Sequence, residues 1–343
     1  MPELPDIELY LHALRPRLVG RPLERIRLAS PFLVRSVAPP PDAAIGRIVI
    51  GLRRLGKRVV WEFEGDLYFV FHLMIAGRFQ WKPRGAPVPR RLGLAAFDWP
   101  TGTLLLTEAG SSRRASLHVA EGEATLAAID PGGADVFAID RDAFAARLRL
   151  ENHTLKRALT DPRLIGGIGN AYSDEILHAA RLSPLQLTSR LDDDAIDRLF
   201  EAARAVLASW RDRLIAEAGD AFPAKVTAFR EGMAAHGRYG KACPVCGTPI
   251  QRIRYATNEA NYCPTCQTGG RLLADRALSR LLRDDWPRSL EAMEEIKARG
   301  RGNFGGRGES EGHGDPGESE GHGDVGRRGG RGEGLGGSDS EGE

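Results

Sequence analysis

The chain begins with apolar residues at helical spacing. Ile7, Tyr10, Leu11 and Leu14 recur every three or four positions between Pro5 and Pro16, which predicts a short amphipathic helix that Pro16 ends. From Ile48 to Thr107 the period changes to two. Val59–Phe63, the alternation Leu67, Phe69, Phe71, Leu73, then Ala95–Trp99 and Thr103–Thr107 are separated by Gly-bearing turns. Several antiparallel strands of this kind imply a β-sandwich. After Pro131 and two glycines the spacing returns to three and four, through Phe144–Leu150, Leu155–Leu159, Ala171–Ala180 and a long run from Ile196 to Leu214. A boundary therefore falls near residues 128–140, between a mostly β part and a helical part. The class is α+β and multidomain.

Composition refines this picture at the far end. The chain has 343 residues, 42% hydrophobic and 27% charged, enough for two domains with a real core. There is no run of about 18 apolar residues and no basic-then-apolar leader, so a secreted or membrane protein is not expected. Residues 299–343, by contrast, are mainly Gly, Arg, Glu, Asp, Ser and His, with a nine-residue near-repeat starting at Glu309 and again at Glu318. A segment with so little to bury is expected to be a disordered, solvated tail. Its Arg-Gly stretches offer a second reading, contact with nucleic acid, which the interleaved acids oppose. The tail holds six Arg against ten Asp and Glu, so the net charge of +2 hides a value of +6 on the first 298 residues. That is compatible with a polyanionic partner.

All four cysteines lie in one short stretch, as Cys243-Pro244-Val245-Cys246 and Cys263-Pro264-Thr265-Cys266. Two such knuckles let four thiolates converge on one ion, with room for a β-hairpin between them, and a closed set of four leaves no position for water. One structural zinc is the expectation; a redox pair or two disulfides is the alternative. A second motif, Ile165-Gly166-Gly167-Ile168-Gly169-Asn170, stands between helical stretches. It reads either as an anion-binding loop at a helix N-terminus or as a glycine-bearing helix–helix turn. At the chain start, removal of Met1 would expose the secondary amine of Pro2, and an α-amino group titrates near enough to neutrality to act as a nucleophile, with Glu3 beside it to move protons.

The segment Met1-Pro2-Glu3-Leu4-Pro5-Asp6, then Leu55-Gly56-Lys57-Arg58, then Thr154-Leu155-Lys156-Arg157 through Gly167–Glu175, and the four-cysteine finger occur in that order. Together they resemble the formamidopyrimidine-DNA glycosylase/endonuclease VIII family of base-excision repair enzymes, over about residues 1–275. The resemblance implies a β-sandwich domain at 1–130, a helix-two-turn-helix domain at 131–240 and a zinc finger at 241–270; beyond it, the residue pattern alone gives a helical extension at 271–298. It implies that Pro2 attacks C1′ of a damaged nucleotide, that Glu3 protonates the sugar oxygen, and that Lys57 holds the adjacent phosphate. Asn170 and Lys156 would contact the same phosphate region, Met74 would fill the hole left by the flipped base unless it is a core residue, and Asp6 stands where a longer Glu is usual. Damaged DNA is the implied partner of a monomeric, cytoplasmic, nucleoid-associated bacterial enzyme. Three departures matter: Asn258 replaces an Arg of the finger hairpin that grips DNA, Ala115 replaces a wedge Phe after Arg113 and Arg114, and Gly219–Phe229 is short for a loop closing over 8-oxoguanine. These leave open a second reading, a lesion-binding protein on the same scaffold with weak or no glycosylase activity.

Overall fold

The computed structural model describes residues 1–110, 112–255, 258–273, 287, 289–293 and 295, all within the unit Met1–Ile296. The expected tail at 299–343, most of the expected extension at 271–298, and Ser111 lie outside the described residues.

The first helix, α1 (Leu4–Leu18), is longer than its periodicity predicts, because Pro16 lies inside it and does not end it. A proline two residues before the end forfeits one hydrogen bond, and burial of Leu14 and Leu18 on the same face offsets the loss. Two four-stranded antiparallel sheets follow. One has the order β1 (Arg25–Leu28), β6 (Gly93–Trp99), β7 (Gly102–Glu108), β5 (Gly77–Lys82); the other has β2 (Val49–Leu55), β3 (Arg58–Phe63), β4 (Leu67–His72), β8 (Ser116–Glu121). Alternate residues of each strand face the partner sheet. Trp61, Phe69 and Phe71 of the second sheet meet Phe79, Phe97 and Trp99 of the first, with ring centroids such as Trp61–Phe97 at 5.1 Å in edge-to-face contact. The strands β1, β5 and β8 were not legible, being short or only half-buried in pattern.

After α2 (Glu123–Ile129) come α3 (Arg141–Arg149), α4 (Leu155–Thr160), α5 (Asn170–Ala179) and α6 (Asp193–Ala218). Asp140 and Asp192 cap α3 and α6 by accepting from Ala143 N–H and Ala195 N–H, each at 2.8 Å. The long α6 packs on both α5 and α1, so the chain start is docked against the helical part. The hairpin β9 (Gln251–Arg254) and β10 (Glu259–Tyr262) leads into α7 (Pro264–Thr268). No helix among the described residues is long and apolar enough to cross a membrane.

Candidate nucleic-acid active site

The Gly166–Asn170 loop gathers the chain start and the β2–β3 turn onto the N-terminus of α5. Glu3 is buried, and its carboxylate accepts N–H bonds from Gly169 at 2.7 Å, Ala171 at 2.9 Å and Tyr172 at 3.1 Å. Leu4 N–H donates to the Gly167 carbonyl at 2.9 Å. Two glycines permit this approach: Gly167 has φ +88°, and a Cβ on Gly169 would fall 2.5 Å from Glu3 Cδ. The loop glycines thus serve a carboxylate from the opposite end of the chain.

Burial pushes the Glu3 carboxyl above its ordinary value, opposed by the Ala171 N–H and by the charge of Lys57. Lys57, in the β2–β3 turn, donates from Nζ to the Ile168 carbonyl at 3.0 Å, and burial pulls its ammonium below the usual range, with Glu3 opposing. Burial likewise lowers the terminal ammonium on Met1, with Glu3 the largest opposing influence. Met1 precedes Pro2 here, so the Pro2 nitrogen is an amide until Met1 is removed. Asp6, also buried, accepts from Glu3 N–H at 2.9 Å and from Arg230 Nη2 at 2.5 Å. Burial raises its carboxyl and the guanidinium draws it back.

Lys156 sends its ammonium to Asp174 Oδ1 at 2.5 Å and to the Asn170 carbonyl at 2.6 Å, while His236 Nδ1 meets Asp174 Oδ2 at 2.8 Å. Its charge is therefore neutralised inside the protein, and its direct effect is to hold the first residue of α5. The side-chain oxygen of Asn170 is buried with no hydrogen-bond partner among the described residues. A groove of about 680 Å³ opens there, lined by Lys156, Arg157, Asn170, Tyr255 and Asn258 among others. Asn258 joins it from the hairpin loop, where its carbonyl accepts from Tyr255 N–H at 2.8 Å. Arg252, on the other hairpin strand, is occupied by Glu259 at 3.4 Å and stacks on Tyr239.

The β4–β5 turn differs from its sequence-based reading by one residue. Met74 is half-buried with φ +52°, and the side chain presented at the tip is Ile75, 66% exposed. Arg113 is exposed and donates to the Arg91 carbonyl at 2.6 Å; Arg114 is exposed, and its N–H and that of Ala115 are held by buried Glu108. Ala115 itself belongs to the sandwich core, so nothing projects from that position. The segment after α6 is strapped down by Arg78 Nε donating to the Val226 carbonyl at 2.7 Å and by Arg230 on Asp6, and Glu175 receives the N–H groups of Ala234, Ala235 and His236. Sequence reasoning missed Arg230, Arg78, Asp174, Glu175 and His236. Asp174 and Glu175 stood inside a quoted motif, but nothing in the spacing told their partners.

The sulfur atoms of Cys243, Cys246, Cys263 and Cys266 all lie within 4.8 Å of one another. Tetrahedral zinc with Zn–S of about 2.3 Å needs sulfurs about 3.8 Å apart, so the four fit one ion. His178 Nε2 stands 3.2 Å from Cys243 Sγ, placed to orient that thiolate from α5. Zinc in this set holds the hairpin's shape and leaves no open position for chemistry.

Three family models match in order: the formamidopyrimidine-DNA glycosylase N-terminal domain over residues 1–110, the formamidopyrimidine-DNA glycosylase H2TH domain over 130–210, and the zinc finger found in FPG and IleRS over 240–269. The formamidopyrimidine-DNA glycosylase of Thermus thermophilus is 32% identical over 283 residues, 79% of this chain and 100% of that one. An uncharacterized formamidopyrimidine-DNA glycosylase-like protein of Mycobacterium tuberculosis is 39% identical over 151 residues, 44% of this chain and 94% of that protein. Among solved structures, the complex of Lactococcus lactis Fpg with abasic-site DNA superposes with a TM-score of 0.69 at 23% identity, covering 78% of this chain and 99% of that one. At that identity the likeness is one of fold.

Proposed function

The chain belongs to the formamidopyrimidine-DNA glycosylase family, and on that premise we propose that it excises damaged bases from DNA and cleaves the strand at the abasic site through Pro2. The observation that carries the assignment of roles is the convergence of Glu3 and Lys57 on one loop, Gly167–Asn170, at the chain start.

With Met1 removed, the Pro2 nitrogen attacks C1′ of the lesion nucleotide and the C1′–base bond breaks, the base leaving with a proton. Glu3, whose carboxyl burial pushes above its ordinary value, gives its proton to the ring oxygen as the sugar opens. The resulting iminium withdraws electrons from C1′ and acidifies the C2′ proton, whose loss expels the 3′ phosphate; a second elimination removes the 5′ phosphate. Lys57 and the N–H donors of the Asn170 side-chain amide, which lines the groove, are assigned to the lesion phosphate. Lys156 acts on the same phosphate indirectly, by fixing Asn170. Asp6 and Arg230 hold the start of α1, so Asp6 is read as a support of the amine and not as a DNA ligand. Arg113, Arg114 and Asn258 remain assigned to the DNA surface.

Ile75 replaces Met74 as the side chain assigned to the space vacated by the flipped base, since it is the exposed apolar residue of that turn. The flipped nucleotide must be extruded against stacking, and with Ala115 in the core the protein offers no wedge there. This supports oxidised pyrimidines, ring-opened purines and abasic sites as preferred substrates over 8-oxoguanine paired with cytosine. The damaged DNA is placed in the cytoplasm, at the nucleoid, with the protein acting as a monomer. Single-turnover excision on these lesions side by side tests the reading; fastest turnover on 8-oxoguanine opposite cytosine would overturn the substrate order, and binding without turnover on any of them would leave a lesion-binding protein.

A further inference from the structure

Strand register orders the connections that meet at one end of the second sheet. Arg58 at the start of β3 faces His72 at the end of β4, and His72 faces Ser116 at the start of β8. Beyond β8 the chain after Leu33 forms a further edge, Val34 bridging Leu117 in parallel and Arg35 N–H donating to the Leu117 carbonyl at 2.9 Å. Four connections therefore share this rim, in lateral order: the β2–β3 turn with Lys57, the β4–β5 turn with Ile75, the loop with Arg113 and Arg114, and the one-turn 3-10 helix Pro31–Leu33. Neighbouring strands are about 4.8 Å apart, so the last connection stands about 10 Å to the side of Ile75 and about 14 Å from Lys57.

Phe32, in that last connection, is 76% exposed, the most exposed aromatic side chain among the described residues, and no aromatic or cationic group among them stacks on it. Its backbone is held from both sides. The N–H groups of Ala29 and Ser30 donate to the Leu94 carbonyl at 2.9 and 3.1 Å, Leu33 N–H donates to the Ser30 carbonyl at 3.2 Å, and Leu33 itself belongs to the core. A single exposed apolar residue is ordinary on a protein surface, but the setting of this one is not. The sequence has no acid between Glu24 and Asp42, and Arg35, Arg113 and Arg114 are exposed on the same and the neighbouring connection. Glu108, behind the Arg113 loop, is buried and spent on the N–H groups of Arg114 and Ala115. A free aromatic face among cations, with no exposed acid beside it, suits stacked bases.

We propose that Phe32 stacks on the strand opposite the lesion, beside the base left without a partner. The inference rests on the reading above, in which Lys57 marks the lesion-strand phosphate and Ile75 the space left by the flipped base. A line from that phosphate through the vacated space, continued about 10 Å along the rim, leaves the lesion strand and reaches its complement. Phe32 lies across Ile75 from the lesion phosphate, so it steadies the opposite strand and applies no push to the damaged base. Insertion of an apolar side chain between base steps is a known means of holding an opened duplex.

The test uses full-length, zinc-loaded, Met1-processed protein and a duplex with a reduced abasic site. The probe is 2-aminopurine, whose emission falls when it is stacked, placed either opposite the site or beside it in the lesion strand. Phe32 is exposed, so its replacement leaves the fold intact. Opposite the site, the probe should be brighter in the Phe32→Ala complex than in the wild-type and Phe32→Trp complexes; in the lesion strand the three should agree. Phe32→Ala should bind about tenfold more weakly, the scale of one lost base stack, with the log–log salt slope unchanged because no phosphate contact is lost. Equal emission opposite the site in wild-type and Phe32→Ala complexes, or a change confined to the lesion-strand probe, overturns the placement. Weaker binding accompanied by a shallower slope overturns stacking as its cause. Wild-type protein that neither binds nor cleaves abasic DNA overturns the functional reading beneath it.

Discussion

Glu3 rests on the amide of Gly169, its Oε2 accepting that N–H at 2.7 Å, in a space where a Cβ at position 169 would come within 2.5 Å of the carboxylate carbon. The glycine is needed because the carboxylate is there, and in the proposed mechanism the carboxylate so held is the group that protonates the sugar oxygen of the nucleotide.

Replacing that carboxylate separates the two chemical stages. Glu3→Gln should slow base excision by about 100-fold or more, the range for general acid–base groups, while borohydride trapping on preformed abasic DNA persists. Gly169→Ala should depress excision comparably by displacing Glu3. Single-turnover assays on a damaged-base duplex and an abasic duplex check both, and an equal fall in the two activities for Glu3→Gln would remove its role as proton donor.

The pH dependence follows from the same burial. Glu3 is raised, so it is still protonated above the ordinary carboxylate range and loses its proton as pH climbs through its raised value. The Pro2 amine, exposed by removal of Met1, attacks only in its free form and so gains activity as pH rises. Excision should therefore trace a bell, rising as the amine deprotonates and falling as Glu3 does. Because the folded state keeps the Glu3 proton longer than the unfolded chain, stability falls as pH rises between the unfolded and folded values. Glu3→Gln should remove the descending limb and that part of the stability loss; a limb that survives belongs to another group.

Asp6 and Arg230 are both largely buried, so removing one partner strands a charge. Arg230→Ala should cost about 3–5 kcal/mol in urea unfolding, with part recovered in the Asp6→Asn/Arg230→Ala double variant. A cost under about 0.5 kcal/mol, the level of ordinary surface changes, would show the pair does not form in solution.

The legible parts of this site and fold share a physical origin. Periodicity announces α6 and the strands β3 and β4 because each has a buried face of regular spacing, and the four cysteines announce zinc because ligand geometry restricts spacing. Arg230 was invisible: it lies in an aperiodic stretch after α6, and its meaning comes only from the tertiary approach of Asp6. The turn after β4 shows a different loss. The sequence points to Met74, whereas the exposed apolar side chain of the turn is Ile75, beside a positive φ at Met74 that no spacing announces.

The zinc site predicts one ion per chain by metal analysis. Cys246→Ala should lose it together with DNA affinity, because the hairpin bearing Asn258 keeps its shape through the ion. His178→Ala should weaken zinc by about 10-fold or more through loss of thiolate orientation. Full DNA affinity in metal-free protein would contradict the first, and an unaltered zinc affinity in His178→Ala the second.

Borohydride reduction of a mixture of Met1-processed protein and abasic-site DNA tests the central claim most directly. The account predicts a covalent protein–DNA adduct whose attachment maps by mass spectrometry to Pro2 and which is abolished by an N-terminal extension. An adduct mapping to Lys57 or any other lysine, or strand cleavage undiminished when the N-terminus is blocked, would contradict it.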